Sequence, residues 1–282
     1  MILICDSGST KSDWVLLKDD AQIYFSTNGL NPTFHDQYSV EKEIRLNTEL
    51  IAWNDQVTNI YFYGAGCSSD EKKALIFDGI QKVFPKAKIQ VENDLLAAAY
   101  ATYSGKPGIS CILGTGSNAC LFDGNKMYQN IPALGFILGD EGSGTYLGKR
   151  LLADYFYKRL PFSMEEALRD EFGLTKESVV ERVYRQPNAN AYLASFVPFL
   201  LRFANEDYVQ RIVKEGFSQF LSIHVSTYQN SKELLIHFVG SVAYFFQNEL
   251  KQVAQQHDLM VGNIIQKPIE GLITYHKTYL GV

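Results

Sequence analysis

Short apolar runs alternate with polar turns in the first hundred residues, and the same alternation returns near the end of the chain. The apolar run at 2–5, a polar turn and the β-favouring run at 14–17 predict an antiparallel pair of strands, with 22–25 as a third. Further strands are predicted at 60–63 and 89–91, and helices with apolar residues at helical spacing at 40–53, 69–84 and 95–104. This order of strands and helices predicts an α/β fold.

The second half of the chain repeats the order of the first half. A hairpin pattern opens each half, and a buried strand that ends in glycine follows later, at Gly64 and at Gly240. The matching segments of the second half are the hairpin at 110–124 and the strands at 234–239 and 259–265. We therefore expect two like-folded halves.

The boundary between the halves is predicted at 106–108, a Lys-Pro-Gly stretch that is the most linker-like point of the chain. We expect an N-terminal domain at 1–106 and a C-terminal domain at 107–282. A helical insert at about 161–230 interrupts the second domain. The final helix, at about 268–280, is expected to pack back on the first domain.

The first turn has the residue types of an anion cradle: Ser7, Gly8, Ser9, Thr10 and Lys11. The glycine lets backbone N–H groups approach a ligand, the hydroxyls add donors, and the lysine adds a positive charge. Asp6, at the end of a buried strand, would face a phosphate-bound magnesium ion. Taken alone, the turn is equally compatible with an ordinary polar hairpin.

A second turn of similar design contains Gly114, Thr115, Gly116, Ser117 and Asn118. In our alignment of the two turns, glycine 8 matches glycine 116, serine 9 matches serine 117, and glycine 114 replaces the aspartate. Two phosphate-cradling hairpins, each opening one half of a chain, resemble the ATPase fold shared by sugar kinases, actin and Hsp70 chaperones.

Composition and charge restrict the classes of function. The chain has 282 residues, of which 46% are hydrophobic and 20% charged, and this is typical of globular proteins with substantial cores. A net charge of -5 argues against a nucleic-acid surface as the main binding site. We see no secretory signal and no membrane span, and four cysteines without a C-x-x-C pair are expected to be reduced thiols. These features predict a cytoplasmic protein.

Five motifs in order resemble the BadF/BcrA-type ATPase family, within it the N-acetylglucosamine kinase branch: 6–14, 92–100, 113–118, 135–144 and 238–243. The resemblance implies two ribonuclease H-like, actin-like ATPase halves with a cleft between them. It also implies ATP and Mg²⁺ as cofactors and an amino sugar as substrate, first of all N-acetylglucosamine, phosphorylated to its 6-phosphate. A second copy of the chain is the one macromolecular partner we expect, with neither nucleic acid nor membrane.

The resemblance assigns roles to particular residues. Asp94 would be the catalytic base that accepts the proton of the sugar hydroxyl, and Asp6 would organise Mg²⁺. The two turns would hold the phosphates, and Gly240 with Ser241 would bind adenosine. The implied sugar-binding residues are Asn31, Gly64, Asp94, Gly135, Phe136 and Asp140. Relatives often have tryptophan at position 136, so glucosamine and N-acetylmuramic acid remain open as substrates.

Several alternatives to these roles stay open. The acid at 94 could be only a helix cap, the turn at 240–241 only a strand-to-helix connection, and Asn31 only a turn former. Another branch of the same family holds an iron-sulfur cluster between two chains, and Cys111 with Cys120 is the one close cysteine pair, which we expect to point into the core. A third alternative is a nucleotide-dependent regulatory or scaffold protein.

Overall fold

The computed structural model describes residues 1–281, which form two compact units. The first unit comprises Met1–Tyr103 and the segment that begins at Lys267, and the second unit comprises Ser104–Gln266. Each unit is built around a five-stranded mixed sheet in the described chain. The chain thus leaves the first unit once and returns to it for its last helix.

In chain order, the first unit contains β1 (Ile2–Ser7), β2 (Lys11–Lys18), β3 (Ala21–Asn28), α1 (Gln37–Leu46), α2 (Thr48–Ile51), β4 (Asn59–Gly64), α3 (Asp70–Val83), β5 (Lys88–Asn93) and α4 (Asp94–Thr102). The second unit contains β6 (Gly108–Leu113), β7 (Ser117–Phe122), β8 (Met127–Tyr128), α5 (Gly135–Leu138), α6 (Gly144–Phe156), α7 (Phe162–Phe172), α8 (Lys176–Tyr184), α9 (Ala189–Ala194), α10 (Val197–Arg202), α11 (Asp207–Phe220), β9 (Leu235–Val239), α12 (Ser241–Phe245), α13 (Gln247–Gln256) and β10 (Met260–Ile265). A π-helical segment, Leu221–Val225, continues α11, and the returning segment adds α14 (Ile269–Tyr279).

The two sheets have the same topology. The strand order is β3-β2-β1-β4-β5 in the first and β8-β7-β6-β9-β10 in the second. In both, the three strands of the meander are antiparallel and the two later strands run parallel to the first strand of the sheet. The internal repeat expected from the sequence is therefore confirmed, together with the α/β class.

Both faces of the first sheet are covered, which explains the near-continuous apolar sequence of β1. Leu3 and Cys5 belong to a core shared with α1 and α3, whereas Ile4 belongs to a core shared with α4 and α14. Successive side chains of a strand point to opposite faces, so one strand serves two cores. The carboxyl ends of β1, β4 and β5 lie at one edge of this sheet, and the loops that follow them there carry polar residues.

One helix differs from the sequence prediction. The pattern at 40–53 predicted a single helix, but the structure has α1 and α2 separated at Asn47. The Asn47 side chain accepts a hydrogen bond from the backbone N–H of Leu50, so it caps a new helix start. The cap at Asn47 therefore divides the segment into two helices, although the apolar spacing continues across it.

Helix α14 packs closely on α4 and on the sheet of the first unit. A Cβ at Gly271 would lie 2.3 Å from the backbone oxygen of Ala101, so only glycine permits this approach. Tyr275 stacks on Tyr100 with ring centroids 4.0 Å apart. Within residues 1–281, no helix has the length and apolar character needed to cross a bilayer.

A buried histidine joins α14 to β4. The Nε2 atom of His276 lies 2.9 Å from the Tyr63 hydroxyl, and its Nδ1 atom has no hydrogen-bond partner within residues 1–281. Burial lowers the pKa of His276 from 6.5 to about 4. The folded protein therefore keeps this imidazole neutral under conditions in which the unfolded chain protonates it.

We predict that this histidine destabilises the fold in acid. Because its folded pKa lies below its unfolded value, its contribution to stability is complete above pH 6.5 and is lost as the pH falls towards 4. The free energy of unfolding in urea should fall by about 2 kcal/mol more between pH 7.5 and 4.5 in the wild type than in His276→Gln. Thr274→Ala, on the exposed side of the same helix, should keep the wild-type slope. Equal slopes for wild type and His276→Gln would contradict the prediction.

Candidate functional site

The first hairpin turn is held from below and has its tip open. The backbone N–H of Gly8 donates to the carbonyl oxygen of Lys11 at 2.9 Å, which places Ser9 and Thr10 at the tip. Gly29 lies directly beneath, since a Cβ there would be 2.4 Å from the carbonyl oxygen of Gly8. The loop after β3 therefore supports the turn, and the turn presents backbone and hydroxyl groups that suit an anion.

Ser7 does not share this open position. Its side chain is fully buried, its hydroxyl lies 2.7 Å from that of Ser12, and it accepts a hydrogen bond from the backbone N–H of Leu30 at 2.9 Å. The hydroxyl is occupied by protein partners and stabilises the turn from inside. Of the predicted phosphate contacts, Gly8, Ser9, Thr10 and Lys11 lie at the surface of the turn, and Ser7 does not.

Three carboxylates gather beside this hairpin. Asp6 and Asp13 are direct partners across β1 and β2, and Asp94 is the first residue of α4. Burial and the neighbouring carboxylates of Asp94 and Asp13 raise the pKa of Asp6 from 3.8 to about 7. Like charges opposite each other in a sheet destabilise it, so this cluster needs either a proton or a cation.

Two lysines contact the carboxylate of Asp13. Lys11 Nζ lies 2.7 Å from one oxygen of Asp13, and Lys267 Nζ lies 2.8 Å from the other. Burial acts to raise the pKa of Asp13, but the hydrogen bonds from the two lysines outweigh it and lower the pKa. The sequence prediction included Lys11 and missed both Asp13 and Lys267.

A magnesium ion fits this cluster only with help from a ligand. Within residues 1–281, no group of three or more His, Cys, Asp or Glu side chains is arranged to hold a metal. Mg²⁺, however, is commonly bound through one or two carboxylates, several waters and the phosphates of a substrate. Asp6, a carboxylate in need of a cation and next to an anion-binding turn, suits that mode of binding.

Asp94 is placed as a helical residue and not as the cap. The cap of α4 is Asn93, whose side chain accepts a hydrogen bond from the backbone N–H of Leu96 at 2.8 Å. The carboxylate of Asp94 therefore lies in the first turn of α4, where the helix dipole favours a negative charge. The capping alternative for Asp94 is wrong, because the residue before it performs that task.

Besides Asp94, the predicted sugar contacts of the first unit are Asn31 and Gly64, and both are buried. The side-chain oxygen of Asn31 accepts from the backbone N–H of Thr33 at 2.9 Å and lies against Gly66, where a Cβ would be 2.3 Å away. It therefore shapes its own turn, as the alternative for this residue proposed. Gly64 ends β4 and pairs with Ser7 on one side and with the cap residue of α4 on the other.

The second hairpin turn is closed by a hydrogen bond from Gly114 N–H to the carbonyl oxygen of Gly116 at 3.0 Å. Asp140, predicted as a sugar contact, lies against this turn and accepts from the backbone N–H of Ser117 at 3.2 Å. A Cβ at position 116 would be 3.1 Å from the carboxylate of Asp140. Burial raises the pKa of Asp140. The hydroxyl of Ser117 is buried without a hydrogen-bond partner in the described chain, an energetic cost that a ligand could relieve.

The strand registers correct our alignment of the two hairpins. Four residues separate the paired Ser7 and Ser12, whereas three separate the paired Leu113 and Ser117. The counterpart of serine 117 is therefore serine 12 and not serine 9. In the same way, the counterpart of Asp6 is isoleucine 112 and not glycine 114. The sequence alignment was wrong because it matched glycines across turns of different length.

The predicted adenosine turn also lies beside the second hairpin. Gly240 has a φ of +126°, which disfavours any other residue, and a Cβ there would lie 2.3 Å from the carbonyl oxygen of Leu113. Ser241 follows as the exposed first residue of α12. At the end of β9 the backbone of Gly240 thus approaches the backbone of Leu113 so closely that only glycine fits.

The glycine-rich segment before α6 presents an open glycine and a packed aromatic residue. Gly135 has a φ of +72°, and a Cβ there would meet no atom within 4 Å. Phe136 instead packs in part against the core of the second unit, and its carbonyl oxygen accepts from Lys149 of α6. Lys149 was missed by sequence reasoning. Its place in the second turn of α6 gave no sign that its side chain would reach back to this loop.

The structure thus brings together Asp6, Asp94 and the first hairpin in one unit, and Gly240, Asp140 and the second hairpin in the other. Asp13 could have been found from the sequence, because residues 6 and 13 are placed symmetrically about the turn and must oppose each other in a hairpin. Lys267 carries no local signal.

Comparison with known proteins gives one family and several relatives. The model of the BadF/BadG/BcrA/BcrD ATPase family matches residues 5–273. An N-acetylmuramic acid/N-acetylglucosamine kinase of Clostridium acetobutylicum is 30% identical over 189 residues. That match spans 61% of this chain and 60% of the relative's length.

Two solved structures share the fold. A candidate N-acetylglucosamine kinase from Porphyromonas gingivalis superposes with a TM-score of 0.93 at 38% identity, over 99% of this chain and 100% of that one. Another candidate N-acetylglucosamine kinase, from Chromobacterium violaceum, has a TM-score of 0.72 at 15% identity, over 97% and 98% of the two chains. The predicted pair of actin-like ATPase halves is confirmed.

We predict that stability separates Asn93 from Asp94. Asn93→Ala removes the cap of α4 and should lower the free energy of unfolding by about 1 kcal/mol. Asp94→Asn keeps that cap, and its effect on the urea midpoint should be smaller. A larger loss for Asp94→Asn than for Asn93→Ala would return the capping role to Asp94.

Proposed function

The chain belongs to the BadF/BadG/BcrA/BcrD ATPase family, and on that premise we propose that it transfers the γ-phosphoryl group of Mg-ATP to a hydroxyl of an amino sugar. The substrate we favour is N-acetylglucosamine, with its 6-hydroxyl as acceptor. N-acetylmuramic acid and glucosamine are the alternatives within the same class. The observation that carries the proposal is an acid, Asp94, that lies beside a phosphate-type hairpin and is not used as a helix cap.

The first hairpin supplies the phosphate-binding groups. The backbone of Gly8 and the hydroxyls of Ser9 and Thr10 lie at the tip of a turn whose base is packed and hydrogen-bonded. A preorganised turn holds developing negative charge without reorganising during the reaction. Asp6 is the residue that would hold Mg²⁺, and the bound ion would supply positive charge to offset the negative charge of the phosphates.

Asp94 acts on the acceptor. Its carboxylate takes the proton of the attacking sugar hydroxyl as that oxygen approaches the γ-phosphate. The first turn of α4 is a position where the helix dipole favours a negative charge, and the cap at Asn93 fixes the backbone from which the side chain projects. The negative charge of Asp94 helps to raise the pKa of Asp6, which indicates that the proposed base and the proposed metal-binding acid are near each other.

The second unit supplies the remaining contacts of the proposal. Gly114, Thr115, Gly116, Ser117 and Asn118 hold phosphate from their own hairpin, and Gly240 with Ser241 contacts adenosine. The residues proposed to contact the sugar are Asn31 and Gly64 in the first unit and Gly135, Phe136 and Asp140 in the second. A homodimer and a cytoplasmic location also stay predictions.

The iron-sulfur alternative is disfavoured by the cysteines. Cys111 and Cys120 are free thiols in β6 and β7, and both side chains are fully buried. A cluster shared by two chains needs thiolates at the surface, whereas burial raises the pKa of both thiols.

A panel of sugars tests the proposal directly. We predict that ADP release with Mg-ATP rises above the sugar-free rate for N-acetylglucosamine, and less for glucosamine, N-acetylmannosamine and glucose. N-acetylmuramic acid belongs in the panel because the C. acetobutylicum relative is named for both sugars. No stimulation by any member of the panel would refute the kinase.

A second prediction separates the two acids. Asp94→Asn should lower kcat by roughly 10²- to 10⁴-fold, the span for a positioned base, with Mg-ATP affinity largely kept. Asp6→Asn should weaken magnesium-dependent ATP binding as well as turnover, because its role precedes the chemical step. Calorimetric titration and steady-state rates measure the two effects. Asp55→Asn, an exposed carboxylate paired with Lys86, is the control and should change neither. Near-normal turnover of Asp94→Asn would show that another group is the base.

A further inference from the structure

Lys267 is the residue at which the chain re-enters the first unit, between β10 and α14. Its ammonium group reaches the first hairpin, where it lies 2.8 Å from one carboxylate oxygen of Asp13. Lys11 lies 2.7 Å from the other oxygen of the same carboxylate. A single acid therefore holds two lysines from distant parts of the sequence beside one phosphate-type turn.

Comparison of the two repeats shows which residue of the first half corresponds to Lys267. In the first sheet, Glu92 of β5 pairs with Tyr63, the residue before the glycine that ends β4. In the second sheet, Ile265 of β10 pairs with the corresponding residue of β9. Two residues after each of these strand positions come Asp94 and Lys267. The repeat thus has an acid at this place in one half and a cation in the other.

Both of these residues belong to the same cluster of charged side chains. Lys267 contacts Asp13, which is the direct partner of Asp6 across β1 and β2, and Asp94 is the first residue of α4. All four residues belong to the first unit, because α14 returns to it. The two repeat-related positions therefore converge on one cluster with opposite charges.

The contacts of Lys267 are of a kind that a ligand can replace. The side chains of Lys267 and Lys11 are 51% and 52% exposed, whereas that of Asp13 is 20% exposed. Ion pairs at such exposure contribute little to the stability of the fold, so little is lost when a lysine exchanges its partner. A phosphate oxygen with a full negative charge is a stronger partner, through charge-assisted hydrogen bonds.

We propose that Lys267 is a second phosphate-binding cation of the first hairpin, and that Asp13 is the positioning residue that holds Lys267 and Lys11 ready for a nucleotide polyphosphate. The inference rests on the proposed function only in that the hairpin binds the phosphates of a nucleotide, and it needs no sugar. The second hairpin has no such pair, since asparagine 118 stands at the place of Asp13 and glycine 116 at that of Lys11.

Binding of three ligands without sugar tests the proposal. ADP, pyrophosphate and adenosine are titrated calorimetrically, without magnesium, into wild type, Lys267→Met, Lys267→Arg and Asp13→Asn. Lys267→Met should weaken ADP and pyrophosphate about tenfold, the effect of one charge-assisted hydrogen bond, and leave adenosine unchanged. Lys267→Arg should recover most of the loss. Asp13→Asn should weaken both polyphosphates less, because the cations remain but are no longer oriented.

The matched control is Lys86→Met. Lys86 forms an exposed pair with Asp55 at the same 2.8 Å and lies outside the site, so all three affinities should stay at wild-type values. Urea unfolding of each variant monitors the fold, and Lys267→Gln is the second neutral variant. A purely structural pair would change the urea midpoint and leave the ratio of ADP to adenosine affinity unaltered.

Two results with the Lys267→Met variant would overturn the proposal: wild-type affinity for both polyphosphates, or equal losses for adenosine and ADP. A wild-type protein that binds neither ADP nor pyrophosphate would overturn it as well. Failure of the kinase is distinguishable, because a protein that phosphorylates no sugar can still show the specific loss of polyphosphate binding in Lys267→Met. In that case the lysine stands as a nucleotide contact and the amino-sugar kinase falls.

Discussion

Negative charge concentrated at one edge of the first sheet is the constraint around which this unit is arranged. Asp6 and Asp13 face each other across two strands, and Asp94 adds a third carboxylate from the start of α4. Without compensation such a cluster opposes folding. The protein compensates it in part with two lysines, which lower the pKa of Asp13 and leave that of Asp6 raised to about 7. The excess negative charge at this edge of the sheet attracts cations.

Glycine at close backbone contacts lets the hairpins lie where they do. Gly29 supports the first turn, and Gly240 lies against the second, in each case within a distance at which a Cβ would collide with a backbone oxygen. The two sheets have the same topology, so the same scaffold is used twice. Its chemistry differs because the acid positions of the first hairpin are an isoleucine and an asparagine, Ile112 and Asn118, in the second. The repeat preserves packing and lets the charged residues diverge.

The last helix ties this arrangement together. Helix α14 follows the second sheet in the chain but packs on α4, through Gly271 against Ala101 and through the stacked rings of Tyr100 and Tyr275. The helix that begins with Asp94 is thus buttressed by the helix that follows Lys267. Asp94 and Lys267 are thus positioned by α4 and α14, two helices that share one hydrophobic core.

Hydrophobic periodicity in the sequence by itself determined the strands, most helices and the internal repeat, because those features depend on neighbouring residues and on which faces must be buried. Residue type and position also located both hairpins and Asp94. The tertiary structure decided what depends on register and on distant segments: the different lengths of the two turns, the break at Asn47, the burial of Ser7, and the meeting of Asp13 with Lys267. An ion pair between residues 13 and 267 leaves no trace in either local sequence, since only the return of α14 to the first unit brings the two together.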